Sequence, residues 1–148
     1  MWLKKDERID QLYANDVKII QSTNVFSFSL DAVLLANFPH IPKKGTIVDL
    51  CAGNGAVGLF IANKTKGNIY QIEIQEKLAD MAQRSVQLNH LENQVEVLPM
   101  DLKDSLSKIP SDSCDLVLCN PRISKIYLQI IKILTHFMPQ RVMKSTQT

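Results

Sequence analysis

Three carboxylates and a glycine-rich bend are the residues of this chain best able to act together on a ligand. Gly53, Gly55 and Gly58 satisfy G-x-G-x-x-G directly behind the apolar run TIVDL and open the segment AVGLFIANK. Glycine permits a tight turn there and lets the backbone approach a ligand to van der Waals contact. Asp49 stands four residues before Gly53, and Glu73 stands twenty residues after it. Asp101 closes a further apolar run as Met100-Asp101.

The glycine spacing is common to dinucleotide dehydrogenases and other nucleoside binders, so the acids must discriminate. In a dehydrogenase the first strand end faces a pyrophosphate, which repels a carboxylate such as Asp49. S-adenosylmethionine carries a sulfonium, an ammonium and no phosphate. Asp49 is tolerated beside it, orders the loop, and favours the cationic amino-acid moiety through water. Glu73, at a second strand end, is placed to accept both ribose hydroxyls. Asp101, at a third, is placed to accept from an adenine amino group. A single strand-end acid is an ordinary solvated loop residue; three at successive strand ends form a constellation. The predicted cofactor-binding residues are therefore Asp49, Gly53, Gly55, Glu73 and Asp101, with S-adenosyl-L-methionine as cofactor and no metal.

These residues need a scaffold that brings strand ends together. TIVDL, NIYQIEI, QVEVLPMD and CDLVLCNP read as short strands, separated by AVGLFIANK, QEKLADMAQRSVQLNHL and LKDSLSKIPSDS. The second of these separators places Leu78, Met81, Ala82, Ser85 and Val86 on one helical face. Strand and helix alternating in short units predict an α/β, Rossmann-like parallel sheet with helices on both faces. Right-handed crossovers then put all strand C-terminal ends on one edge. Upstream, Val17 to Gln21 reads as a strand, Ser22-Thr23-Asn24 as a turn, and Val25 to Phe28 as a half-buried strand. Ser29 or Asp31 offers an N-cap for a helix through Phe38. Residues 1–16 read as a polar, partly ordered segment, 17–121 as the binding domain, and 122–148 as an atypical tail.

A chain of 148 residues, 45% hydrophobic and 22% charged, suits one core. Its net charge of +2 allows nucleic-acid contact without requiring it. The three cysteines, Cys51, Cys114 and Cys119, lack metal-ligand spacing and read as reduced core residues. No apolar stretch approaches the roughly 18 residues of a membrane helix, and the charged start does not read as a secretory signal. The expectation is a cytoplasmic protein without membrane contact.

The segments ERIDQL, KIIQSTNVFSFSLDAVLLANF, VDLCAGNGAVGLF, IEIQEKLADMAQRSVQLN and DLVLCNP resemble a class I S-adenosylmethionine-dependent methyltransferase. They are similar to its small-domain branch, which includes bacterial tRNA adenine-N6 methyltransferases acting on valine tRNA. The resemblance runs from about residue 7 to Pro121. It implies cofactor contacts by the five residues above, a pocket wall from Phe28 and Asp31, and tRNA or other RNA as substrate. It also implies a seven-stranded sheet, of which this chain carries the first four core strands. The strand DLVLC is then an apolar edge, which predicts marginal stability or self-association unless it is covered.

Amino-methylating members of that group carry Asn-Pro-Pro followed by Tyr or Phe after the fourth strand. The asparagine oxygen and the first proline's carbonyl accept from the exocyclic amine and turn its lone pair toward the methyl group. The aromatic ring stacks on the extracted base, a contact worth about 1–3 kcal/mol. Here the chain reads Asn120-Pro121-Arg122-Ile123. Asn120 and Pro121 are the candidate catalytic residues; the second proline and the aromatic ring are missing. Restoring one C to a permitted codon string for Pro-Arg-Ile-Ser yields Pro-Pro-Tyr-Phe. The reading is that a one-base deletion gave residues 122–148 a foreign frame, although Ile123, Ile126, Tyr127, Ile130, Ile131, Leu134, Phe137 and Met138 keep helical spacing. The expected function is adenine-N6 methyl transfer to RNA, with turnover weakened by the altered motif. The alternatives are a catalytically inactive nucleoside-binding module and an NAD-dependent oxidoreductase.

Overall fold

In a computed structural model of the chain, residues 3–12, 16–25 and 30–121 are described. Residues 26–29 and the tail 122–148 lie outside the described residues, and with them most of the expected strand Val25 to Phe28, the expected wall residue Phe28 and the candidate cap Ser29. Val25 itself sits in a bend rather than a strand.

The central layer is a four-stranded parallel sheet. Its strands are β3 (Thr46–Leu50), β4 (Asn68–Glu73), β5 (Val95–Pro99) and β6 (Leu116–Cys119). They lie side by side in the order β5-β4-β3-β6. Asp49 pairs in register with Gln71 on β4 and with Leu118 on β6. β3 is thus central, and its Ile47, Val48 and Leu50 are fully buried. β-Branched and leucine side chains on both sides of a strand are what a sheet covered on two faces requires.

One face carries α1 (Leu30–Asn37), α2 (Ala56–Ile61) and α3 (Glu76–Leu88). Ile47, Ile69, Val95, Val97 and Leu118 pack there against Val57, Phe60, Ala82 and Val86. On the other face Val48, Leu50, Ile72 and Leu98 meet Ile109, Cys114 and the half-buried Leu102 and Leu106. A 3-10 helix, Leu102–Ser107, supplies that cover. The predicted α/β, Rossmann-like half-sheet is therefore present. α1 buries Ala32 and Ala36 and leaves Leu30 and Leu34 exposed, as is Phe38 just beyond its end. No helix among the described residues is long and apolar enough to cross a membrane.

The N-terminal segment departs from expectation. Rather than being partly ordered, residues Glu7–Leu12 form β1, antiparallel to β2 (Val17–Ser22). Two features hold this hairpin to the body. Arg84 on α3 forks onto Glu7, with Nη1 to Oε2 and Nη2 to Oε1 both at 2.7 Å. The planar guanidinium matches the carboxylate, and this hydrogen bonding holds the Glu7 carboxyl below its ordinary range.

Polar side chains also take the place of a neighbouring strand along β2. Asn89 accepts from the Lys18 amide at 3.0 Å and donates to the Lys18 carbonyl. Ser85 Oγ accepts from the Ile20 amide at 2.9 Å, and Asn54 donates to the Ile20 carbonyl at 3.3 Å. A buried amide left without a partner costs about 1–3 kcal/mol. This explains Ser85 on the apolar stripe of α3: it is fully buried and satisfies β2. Ser85→Ala should lower the unfolding free energy by about 1–3 kcal/mol in urea denaturation; an unchanged midpoint would show that the Ile20 amide finds another partner.

Candidate functional site

The C-terminal ends of β3, β4, β5 and β6 open into one cavity of about 860 Å³. Asp49, Cys51, Gly53, Glu73, Asp101 and Asn120 all line it. Residues some seventy positions apart in the chain meet because parallel strands present their ends on a single edge. Gly55 and Pro121 are not among the lining residues.

Gly53 and Gly55 do different work. Gly53 has φ +61°, and a Cβ built on it meets nothing within 4 Å, so its surface is open to the cavity. Gly55 has φ +88° and faces inward, where a Cβ would meet Gln71 Oε1 at 3.0 Å and the Ala82 methyl at 3.1 Å. Gly55 thus shapes the bend rather than touching a ligand. Gln71, fully buried, donates from Nε2 to the Gly55 carbonyl at 2.9 Å and packs against Gly58. A polar residue between Ile69 and Ile72, in the buried part of the strand, is the sequence signal for this tether, but its partner is visible only in the fold.

Glu73 ties two segments of the site together. Its Oε2 accepts from the Gly53 amide at 2.7 Å, and its Oε1 accepts from the Gln75 amide at 2.9 Å. An ionised carboxylate offers about four acceptor sites, so each oxygen keeps capacity for a ligand hydroxyl. Asp101 caps the 3-10 helix by accepting from the Lys103 amide at 3.0 Å on Oδ1. The far wall comes from Thr23, Asn24 and Val25 after β2 and from Ala32 on α1. Asp31, expected to wall the pocket, is exposed and does not line it, because the inward face of α1 belongs to Ala32 and Ala36.

Asp49 is the unusual group. It is 1% exposed, and neither carboxylate oxygen has a hydrogen-bond partner among the described residues. Among the described residues, Oε1 of Gln71, its register partner, is in the same condition. Burial, reinforced by the negative charge of Cys51 and Glu73 nearby, pushes the Asp49 carboxyl well above the usual carboxylate range. A buried carboxylate without a partner costs several kcal/mol unless it is neutralised by a proton or by a cation. The cavity beside it therefore suits a positively charged group. Among the described residues, no cluster of three or more His, Cys, Asp or Glu is placed to hold a metal ion.

A parallel Rossmann-like sheet with a glycine bend and strand-end acids around one cleft defines a nucleoside-binding class of enzyme fold. The sequence places this example within that class: the methyltransferase small domain family matches residues 16–142, and the chain belongs to it. Two curated relatives are ribosomal RNA large subunit methyltransferases G. The one from Pseudoalteromonas translucida is 36% identical over 115 residues, covering 74% of this chain and 30% of that protein. The one from Colwellia psychrerythraea is 29% identical over 126 residues, covering 82% and 32%. The tRNA1(Val) (adenine(37)-N6)-methyltransferase of Shewanella halifaxensis is 27% identical over 93 residues, covering 63% and 38%. The chain thus spans about a third of the length of these relatives. Among solved structures, TYW2 of M. jannaschii in complex with AdoMet superposes with a TM-score of 0.74 at 20% identity, covering 93% of this chain and 61% of that one. TYW2 of P. horikoshii gives the same score at 19% identity, covering 91% and 49%.

The Asp49 carboxyl makes stability depend on pH in a defined sense. Its folded-state pKa is raised, so its favourable contribution is complete below about pH 4 and is lost as pH rises toward the folded value. Ligand-free Asp49→Asn should therefore gain on the wild type as pH rises above about 4, by about 1–3 kcal/mol at neutral pH. Paired urea melts between pH 4 and 8 check this, and a constant gap would contradict the buried, unpaired state.

Proposed function

We propose that this chain is the S-adenosyl-L-methionine-binding part of an RNA methyltransferase, and that its target is an exocyclic adenine amine. The observation that carries the proposal is Asp49, a buried carboxylate without a protein partner that faces a cavity sized for a nucleoside. When bound, the cofactor supplies an electrophilic methyl group on a cationic sulfur. Asp49 answers the positive charge of the amino-acid end. Gly53 gives the ligand access to the backbone, Gly55 shapes the bend, and Glu73 holds the Gly53 amide while offering its remaining lone pairs to the ribose. Asp101, fixed by its cap, accepts from the adenine amine.

Asn120 occupies the cavity wall at the end of β6, where the incoming amine must arrive. Its side-chain oxygen and the Pro121 carbonyl orient that amine as acceptors. No strong base is needed, because alignment of the amine with the methyl group supplies most of the acceleration. The relatives support RNA as the substrate class, since some are named ribosomal RNA methyltransferases and another a tRNA methyltransferase. The Asn-Pro pair favours the adenine amine.

Arg122 and Ile123 favour a second reading, a nucleoside-binding module without turnover, since neither residue supplies the proline or the ring that stacks on a base. Sequencing the coding DNA through codon 122 decides whether these residues are genuine. β6 has no strand on its outer side among the described residues, which supports pairing with a further strand or a second copy. The proposal also places the protein in the cytoplasm, where its RNA substrates are made.

Calorimetric titration with S-adenosylmethionine and with NAD tests the cofactor. Binding of the first alone is expected, with Asp49→Asn and Glu73→Gln each weakening it at least about tenfold, or about 1.4 kcal/mol. Incubation with labelled cofactor and unmodified tRNA or ribosomal RNA tests the reaction. Asn120→Ala should leave cofactor affinity within about threefold and cut methyl transfer about a hundredfold; equal loss of both would place Asn120 in binding instead.

A further inference from the structure

The side-chain ties that run from Asn89, Ser85 and Asn54 to β2 reach Lys18 and Ile20, short of the far wall of the cleft. The wall residues Thr23 and Asn24 are gripped from the other strand of the hairpin. Thr23 donates its amide to the Asp6 carbonyl at 3.4 Å, and Asn24 donates from Nδ2 to Asp6 Oδ2 at 2.9 Å. Asp6 thus holds one wall residue through its backbone and the other through its side chain.

A tight turn places Asp6. The Glu7 amide donates to the Lys4 carbonyl at 3.1 Å, and Glu7 Oε2 accepts from the Lys4 amide at 2.8 Å. Within that turn Asp6 has φ +65°, a left-handed conformation that aspartate adopts more readily than most residues. Glu7 is therefore the clasp of the turn, and it is also the residue that Arg84 holds. Its side chain is 1% exposed, and two guanidinium nitrogens reach it at 2.7 Å each. Asp80, one helical turn earlier on α3, steadies the guanidinium through Oδ2, at 3.0 Å from Nε and 2.8 Å from Nη2. The same oxygen accepts from Lys4 Nζ at 2.8 Å. A planar fork held on both sides fixes direction as well as distance.

These contacts close a circuit around the cleft. Leu78, near the start of α3, and Gln75 just before that helix both line the cavity. From there α3 runs to Arg84, the ion pair crosses to Glu7, and the Asp6 turn leads back to the cavity at Thr23 and Asn24. Leu3 and Val25 pack on Ile20, Leu78 and Met81 along the same seam. Apolar contact draws the two walls together but is non-directional. The ion pair supplies the register that the seam leaves open.

We propose that Arg84 is a positioning residue for the cleft. Through Glu7 and the Asp6 turn it sets the spacing between the Thr23–Asn24 wall and the start of α3, and with it how firmly a ligand is retained. Neither Arg84 nor Glu7 is among the cavity's lining residues, so the effect travels through the wall. The identity of that ligand rests on the cofactor reading; the placement of the wall does not.

Amide hydrogen exchange on the ligand-free chain reads the wall directly. In Arg84→Met, exchange at Thr23 and Asn24 should be at least about tenfold faster, with the Ile20 amide, which Ser85 holds, unchanged. Unchanged exchange at Thr23 and Asn24 would overturn the proposal. Equal acceleration at Ile20 would also overturn it, by making Arg84 a general stabiliser. Titration with S-adenosylmethionine measures the consequence for binding. Arg84→Met should weaken it about tenfold, and Arg84→Lys, which keeps the charge but loses the fork, about threefold. Asp6→Gly suits the left-handed turn, keeps the fork and removes the grip on Asn24; a loss of about threefold is expected. Asp6→Asn still accepts from Asn24 and should bind as the wild type does. The double variant Arg84→Met/Asp6→Gly should bind no more weakly than Arg84→Met alone, since both cut one path. Full multiplication of the two losses would overturn that path. If Arg84→Met does not fold, Arg84→Lys is expected to show both effects with the same sign, and its absence of effect at Thr23 and Asn24 would overturn the proposal. A wild-type chain that does not bind would overturn the cofactor reading alone, and the exchange rates would still decide the role of Arg84.

Discussion

The site is organised around the burial of a carboxylate that the protein itself does not neutralise. Asp49 occupies the centre of the sheet, flanked by Gln71 on one side and Leu118 on the other. No donor among the described residues reaches its oxygens, and the neighbouring Glu73 and Cys51 make ionisation harder still. A fold tolerates such a group when a ligand resolves the conflict. Burial favours the protonated carboxyl, and a cation in the cleft would favour the ionised form. On the proposed function, this unmet electrostatic demand favours a positively charged nucleoside over one that carries phosphates.

Around that centre the remaining polar groups act as tethers. Glu73 grips the amides of Gly53 and Gln75, so the bend after β3 and the entry to α3 move as one unit. Gln71 holds the Gly55 carbonyl from below. Ser85, Asn89 and Asn54 satisfy the free edge of β2, which delivers Thr23 to Val25 to the far wall of the cavity. The cleft is built from short links between strand ends, which is why residues far apart in sequence can share one ligand.

Most of the core was legible in the sequence because its periodicity is unambiguous. TIVDL and NIYQIE are strands at nearly the predicted bounds, and the stripe of Leu78, Met81, Ala82, Ser85 and Val86 is the buried face of α3. Asp49, Glu73, Asp101 and Asn120 do converge, since strand ends in a parallel sheet have no other place to go. The hairpin was not legible: ERIDQL carries charges on both sides of its alternation, and only pairing with β2 and the grip of Arg84 make it a strand. Asp31 was misplaced because an N-terminal helical acid looks the same whether it faces a cleft or solvent. The roles of Ser85 and Gln71 were hidden for a related reason, since each depends on a backbone group brought close only by the tertiary fold.

The most direct measurement of the central claim is the carboxyl carbon shift of Asp49 by NMR, followed against pH with and without saturating S-adenosylmethionine. The account predicts a protonated carboxyl in the free chain at pH values where exposed aspartates are ionised, and an ionised one once the ligand is bound. An Asp49 that titrates with the exposed aspartates, or whose state is unchanged at saturation, would contradict it.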